Sequence, residues 1–327
     1  MNYERKFLPT LERHPPIIID NSVRKELKDC ARRAFYKYWL NKVPAGDIAP
    51  PLVWGTAYHK FREVLELTGS FTKAVEEGMV PWDEAYPRGI DLENKLAWMT
   101  KERLLRTFGV GFTWWSNERK QGDIKVMAVE TPFNVELPDG SKISGRLDQM
   151  VKWHGQVWIR DFKTTAKEEQ MYKRSVNPNA QFDTYVYAGE KLSGSRPAGA
   201  IVEVMYNEKE PAKRRSNSKD TYGPLIYSLM VAKTAEEIEQ WIQEELAYQQ
   251  VQEIYEFNDV WPKNESQCSW CPFHIVCTMQ TEEGMITKLE DTNLFHTRIW
   301  DNASDHLDKK EEVKDVTATA TSSSTGL

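Results

Sequence analysis

The sequence predicts an α/β domain in which a central mixed β-sheet is flanked by helices. Three observations predict it. Apolar residues recur at helical spacing in 23–38 and 54–67. Strand-forming runs joined by turn residues fill 124–165. A helix-like stretch, two further strand-like runs and a long helical segment then follow from 179 to 254, an order that suits a sheet covered by helices.

Residues 1–20 carry few helix signals and end in Pro15-Pro16-Ile-Ile-Ile, an extended lead-in. Asn21-Ser22 can cap a helix in which Val23, Leu27, Cys30, Ala31, Ala34, Phe35 and Tyr38 form one apolar face. Residues Pro44 to Pro51 read as a loop. The next helix opens with Trp54-Gly-Thr-Ala-Tyr-His59, with Ala57, Phe61, Val64 and Leu65 inward and His59, Arg62, Glu63 and Glu66 on the polar face. Residues 70–120 read as a helical insertion beside the sheet, with Gly109 and Gly111 as candidate breaks. Ile124 to Leu137 is a strand turned back at Pro138-Asp-Gly-Ser141. Asn179 to Leu192 is a helix, Ala200 to Tyr206 and Pro224 to Val231 are strands, and Thr234 to Ile254 is a helix capped by Thr234 with Glu237. The domain is read as 21–280, followed by a polar extension over 281–327 whose Ser/Thr/Ala-rich end lacks the apolar residues to fold.

The stretch from Ser144 to Lys163 organises the chemistry. It reads as a hairpin around His154-Gly155. A two-residue loop places Asp148 opposite Asp161, puts Lys163 on the same side as Asp161, and sets Arg146 opposite Lys163. Opposed carboxylates repel unless a positive charge sits between them, and a divalent cation is the simplest such charge. A two-residue Asp139-Gly140 turn would pair Glu130 with Gln149, off the Asp148 position, so Glu130 ranks below the other acids.

Composition narrows the class. The chain has 327 residues, 40% hydrophobic and 28% charged, enough for a sizeable core in one large domain or two modest ones. No run approaches the ~18–20 apolar residues of a membrane span, and residues 1–16 hold no apolar signal segment, so a cytoplasmic protein is expected. The net charge of −6 argues against a basic nucleic-acid coat, yet residues 207–219 carry five bases against two acids and leave room for a local phosphate groove. Residues 301–315 carry six acids and three bases. Cys268, Cys271 and Cys277 form a C-x2-C-x5-C run that suits one metal centre, with Cys30 as the remaining cysteine. Four thiolates fit zinc or an iron–sulfur cluster, and His274 could replace Cys30 around zinc.

Five elements in order resemble the PD-(D/E)XK nuclease superfamily, in particular its RecB/AddB-like branch with the CRISPR-associated and phage iron–sulfur exonucleases. Gly55-Thr-Ala-Tyr-His59 resembles G-x-x-x-H, Gly145-Arg-Leu-Asp148 resembles G-x-x-D, and Asp161-Phe-Lys163 resembles D/E-x-K. Gln181-Phe-Asp-Thr-Tyr185 resembles Q-x-x-x-Y, and the four cysteines are similar to the family's split [4Fe–4S] staple. The resemblance implies a restriction-endonuclease-like core. It further implies Mg²⁺ or Mn²⁺ held by His59, Asp148, Asp161 and the Phe162 carbonyl, and Lys163 acting on the attacking water. Gln181, Tyr185 and Arg146 are then expected to position substrate. The implied activity is DNA exonuclease chemistry leaving 5′-phosphates in recombination, repair or phage DNA metabolism. A structure-specific endonuclease and a non-catalytic, cluster-bearing DNA-binding subunit are the alternatives. No helicase-type phosphate loop occurs, so unwinding requires a helicase or recombination partner. Related ring-shaped exonucleases make a homo-oligomer compatible with the resemblance.

Overall fold

A computed structural model describes residues 6–16, 19–46, 48–90, 96–207 and 224–299. The basic stretch beyond Asn207, the acidic run at 301–315 and the Ser/Thr/Ala-rich end lie outside the described residues. Among the described residues no helix is long and apolar enough to cross a membrane.

The N-terminal helix is interrupted where continuity was predicted. α1 (Asn21–Asp29) is capped by Asp20, whose side chain accepts from the Ser22 and Val23 amides. Cys30 then turns to extended backbone, and α2 (Ala31–Ala34) runs into a π-helical turn over Phe35–Trp39. Cys30 therefore sits at a break and not on a continuous helical face. β1 (Lys42–Pro44) follows, which no sequence pattern indicated.

α3 (Pro50–Thr68) starts at Pro50 and Pro51, where the missing amide hydrogens cost nothing. The predicted insertion is two helices, α4 (Phe71–Ala85), capped by Ser70, and α5 (Lys101–Gln121), capped by Thr100 and closed by Gly122. Gly109 and Gly111 do not break α5. A side chain at Gly111 would press on Phe61 and Tyr58 at 3.1–3.3 Å, so close helix packing explains that glycine.

β2 (Ile124–Glu136), β3 (Lys142–Trp153) and β4 (Gln156–Thr165) form the expected meander. α6 (Glu169–Val176) and α7 (Ala180–Ser193) lead into β5 (Gly199–Tyr206), and β6 (Leu225–Ala232) follows. α8 (Ala235–Asn258) has the predicted capping box between Thr234 and Glu237. The chain closes with α9 (His274–Cys277), α10 (Glu282–Glu290) and β7 (Phe295–Thr297). The five-stranded sheet runs β2-β3-β4-β5-β6, with β4 and β5 parallel and the other neighbours antiparallel, so it is mixed as predicted.

Two layers cover this sheet. Phe182 and Val186 of α7 and Ile238 and Trp241 of α8 pack on Leu147, Ile159 and Val202. On the other side Trp54, Phe61 and Phe108 pack with Phe162 and Met205. A third core, around Phe35, Tyr36, Trp39, Trp261, Phe273 and Phe295, joins an early segment of the chain to a late one, and β1 pairs with β7 beside it.

Candidate active site

The β3–β4 hairpin keeps the predicted register for five pairs, from Trp153↔Gln156 to Gln149↔Arg160. His154 (φ 47°) and Gly155 (φ 81°) both occupy the left-handed region, as a type I′ turn requires. The ladder then forks. Asp161 to Thr165 pair in parallel with β5, while β3 from Leu147 backwards pairs with β2. Asp148 and Asp161 are thus not a cross-strand pair. The Asp148 carboxylate reaches across the fork instead and accepts the Phe162 N–H at 2.7 Å. The expected facing of Arg146 and Lys163 is corrected for the same reason. Arg146 lies opposite Pro132 on β2, with its guanidinium 3.8 Å from Glu130.

α3 brings His59 to this fork, its Nδ1 3.3 Å from Asp148 Oδ2. Burial works against charge on His59, but Asp148 raises its pKa. Burial likewise opposes charge on Asp148, and His59 with Lys163 and the Phe162 amide holds its pKa below the ordinary carboxylate value. Lys163 lies 2.9 and 2.8 Å from the two oxygens of the fully buried Asp161. Burial pushes the Asp161 pKa up to about 6, against the pull of Lys163. Burial disfavours the Lys163 cation, yet Asp161, Tyr185 and Asp148 keep its pKa above the ordinary lysine value.

Glu130 belongs to the same cluster. One ligand atom each from His59, Glu130 and Asp148 lie within 4.8 Å of one another. The turn after β2 explains why its position was misread. Glu136 pairs with Lys142, and the Gly140 amide donates to the Leu137 carbonyl at 2.9 Å, so Pro138-Asp139-Gly140 is a three-residue loop. That one extra residue moves Glu130 from Gln149 to the position between Val129↔Gln149 and Thr131↔Leu147, abreast of Asp148. The signal was present in the Pro-Asp-Gly order, which suits a type I turn followed by a left-handed glycine. Gly140 has φ 86°. Burial, then Asp148, pushes the Glu130 pKa up to about 8.

Gln181 and Tyr185 do share a helix face, with Gln181 Nε2 donating to Tyr185 Oη at 2.8 Å. Burial and the charge of Asp161 raise the Tyr185 pKa, which places the phenol beside the fork. Its ring meets Phe133 edge-on at 6.1 Å. Phe133 pairs with Gly145, where a Cβ would lie 2.5 Å from the Phe133 ring. The glycine three residues before Asp148 therefore makes room for the aromatic pair that backs Tyr185.

A family profile described as the PD-(D/E)XK nuclease superfamily matches residues 22–278. The chain belongs to this superfamily. Nucleases of this superfamily use divalent metals. No curated protein matches the sequence significantly. Among solved structures, a protein from Eubacterium rectale described as a candidate exonuclease is 11% identical, with 81% of this chain and 94% of that chain covered and a TM-score of 0.48. Another, described as SSO0001, is 12% identical, with 78% and 93% covered and a TM-score of 0.27.

Behind the site of this PD-(D/E)XK chain lies a buried charge network, two members of which, Arg62 and Glu66, were expected on a polar helix face. Arg62 and Glu66 have almost no exposed side-chain surface. Arg62 of α3 and Arg160 of β4 both bond Glu203 of β5, and Arg160 also takes both oxygens of Glu118 at 2.8 Å. The two guanidinium groups lie 4.2 and 5.5 Å from the Phe162 ring, which His59 meets edge-on at 6.3 Å. The network thus clamps α3 against β4 at the level of the fork.

The four cysteines of the PD-(D/E)XK chain also meet. Cys30, Cys268, Cys271 and Cys277 line one pocket together with Arg33, Asn264 and His274. The Asn264 amide donates to Cys30 Sγ at 3.4 Å, and Tyr36 Oη is 3.9 Å from Cys277 Sγ. Burial raises the pKa of the Cys271 and Cys277 thiols, and the neighbouring cysteines add to the rise.

Proposed function

We propose that the chain is a Mg²⁺- or Mn²⁺-dependent DNA exonuclease that leaves 5′-phosphates. The observation that carries this reading is the convergence of His59, Asp148, Asp161 and Lys163 from three separate elements on one fork, in a chain of the PD-(D/E)XK superfamily. Hard carboxylate oxygens with one imidazole suit these ions. His59, Asp148, Asp161 and the Phe162 carbonyl are the groups assigned to hold the cation. When bound, it lowers the pKa of a water and offsets charge developing on the phosphate.

The chain's own residues do the rest. Asp161 fixes the Lys163 ammonium, which is placed to orient the attacking water and offset phosphate charge. The Gln181–Tyr185 pair positions the DNA backbone, and Arg146 supplies a further phosphate contact. His59 must give up its proton to serve as a ligand, so cation and proton compete there.

The cysteine cavity is assigned to a [4Fe–4S] cluster with a structural role. All four thiols line it, and a backbone amide points at one sulfur, the kind of hydrogen bond that tunes such clusters. Structural zinc is the alternative, and colour separates the two. Free cysteines suit a reducing cytoplasm, bacterial or that of a phage-infected host. DNA recombination, repair or phage DNA metabolism, with a helicase or recombination partner, is the setting we assign.

End-labelled linear DNA, incubated with Mn²⁺ or Mg²⁺ and protein purified without air, tests the reading. Wild type is expected to shorten the DNA, and Asp161→Ala to lose cleavage while keeping its fold and brown colour. A well-folded, brown wild type that cleaves no DNA end would leave a cluster-bearing DNA-binding subunit as the function. A colourless, active protein holding zinc would remove the iron–sulfur assignment alone.

A further inference from the structure

We infer that Glu130 is a ligand of the catalytic cation, so that β2 contributes to the metal site alongside α3, β3 and β4. This inference rests on the metal-dependent reading above. Glu130 sits abreast of Asp148, and its carboxylate comes within 4.8 Å of ligand atoms on both Asp148 and His59. Asp161 is held by Lys163, whose Nζ donates to Oδ1 at 2.9 Å and lies 2.8 Å from Oδ2, an oxygen with no hydrogen-bond partner of its own. Among the described residues, His59, Glu130 and Asp148 are the metal-ligating side chains whose ligand atoms all lie within 4.8 Å of one another. An imidazole and two carboxylates form a charge-balanced, oxygen-rich set for a divalent ion.

The backbone supports the placement. Glu130 has φ 45°, a left-handed conformation that is uncommon for a residue with a side chain, inside a strand. The register between β2 and β3 shifts only at Val126/Ala128, so the pairs on either side of Glu130 hold it level with Asp148. The bland alternative is a structural ion pair between Glu130 and Arg146, 3.8 Å apart. A structural pair would affect folding and leave the affinity for a cation unchanged.

Mn²⁺ binding by titration calorimetry, on full-length protein without DNA, separates these readings. Glu130→Gln keeps the volume and removes the charge. It is expected to weaken Mn²⁺ binding about tenfold or more, at least what a lost outer-shell partner costs. Glu136→Gln, on the same strand but exposed, is expected to leave binding unchanged. Should Glu130→Gln not fold, Glu130→Asp keeps the charge and withdraws it by one carbon, and weaker binding is again expected. Wild-type affinity in Glu130→Gln or Glu130→Asp, with binding lost in Asp148→Asn, would overturn the role of Glu130 and leave the nuclease reading intact. Absence of Mn²⁺ binding by folded wild type would overturn both.

Discussion

Replacing Glu203 with glutamine should destabilise the fold by about 3–5 kcal/mol, the usual result of removing one partner from a buried ion pair. Glu203 is fully buried and bonds Arg62 and Arg160, which are also buried. Without its charge, Arg160 retains Glu118 at 2.8 Å, but Arg62 keeps Glu66 at 3.8 Å, the neutral Tyr58 hydroxyl at 3.4 Å and the Phe162 ring. The loss should therefore fall on α3. Urea unfolding followed by tryptophan fluorescence would measure it as a lower midpoint. The double variant Arg62→Met/Glu203→Leu removes the stranded charge while leaving the Arg160–Glu118 pair, and is expected to recover more than half of the loss. Burial opposes charge on Glu203, but Arg160 and Arg62 hold its pKa below the ordinary value. An acid lowered in the folded state stabilises above its unfolded pKa and ceases to do so as pH falls through the folded one. The gap between wild type and Glu203→Gln should accordingly narrow in strong acid. A change below about 1 kcal/mol near neutral pH, typical of an exposed pair, would refute the clamp.

Two further outcomes follow from the site. Gly145→Ala should cost about 1–3 kcal/mol, read as a lower thermal midpoint, because its Cβ would meet the Phe133 ring at 2.5 Å. An unchanged midpoint would show that Phe133 is free to move. Metal-free protein should lose stability as pH rises from about 5 to 8. Glu130 and Asp161 have pKa values pushed up to about 8 and about 6, so the folded state holds protons that the unfolded state has released. Urea midpoints in the presence of a chelator measure this, and Glu130→Gln should flatten the upper part of the curve. A wild-type curve flat over that range would count against both shifts.

What the sequence made legible follows from how local each signal is. The His154-Gly155 turn fixed the hairpin register, because a two-residue loop leaves the strands one way to pair. Thr234 and Glu237 marked a helix start because both halves of that contact lie within four residues. The fork beyond Gln149↔Arg160 was invisible, since a turn sets the register beside it and not how far along the two strands stay paired. Glu130 was ranked low over a single residue of turn length. Arg62 and Glu66 were placed in solvent because helical periodicity assigns charged residues outward. Their burial depends on Glu203 and Arg119, distant in sequence. The cysteine spacing pointed to residues that do line one pocket, while the break at Cys30, beside the Asn264 contact to its sulfur, did not show.

The joining of residues 7–44 to residues 245–297 has a consequence for synthesis on the ribosome. Phe7 and Arg13 bond Asp259, Arg24 and Lys28 bond Glu245, and Lys42 to Pro44 pair with Phe295 to Thr297. These contacts of residues 7–44 thus wait for residues 245–297, which are made later. At about 5–20 residues per second, the apolar surface of Phe35, Tyr36 and Trp39 waits on the order of ten to fifty seconds for Trp261 and Phe273. The sheet and its flanking helices can assemble during that interval. A chain halted before Glu245 would lack every one of these partners, leaving Arg13, Arg24, Lys28 and the β1 edge without them.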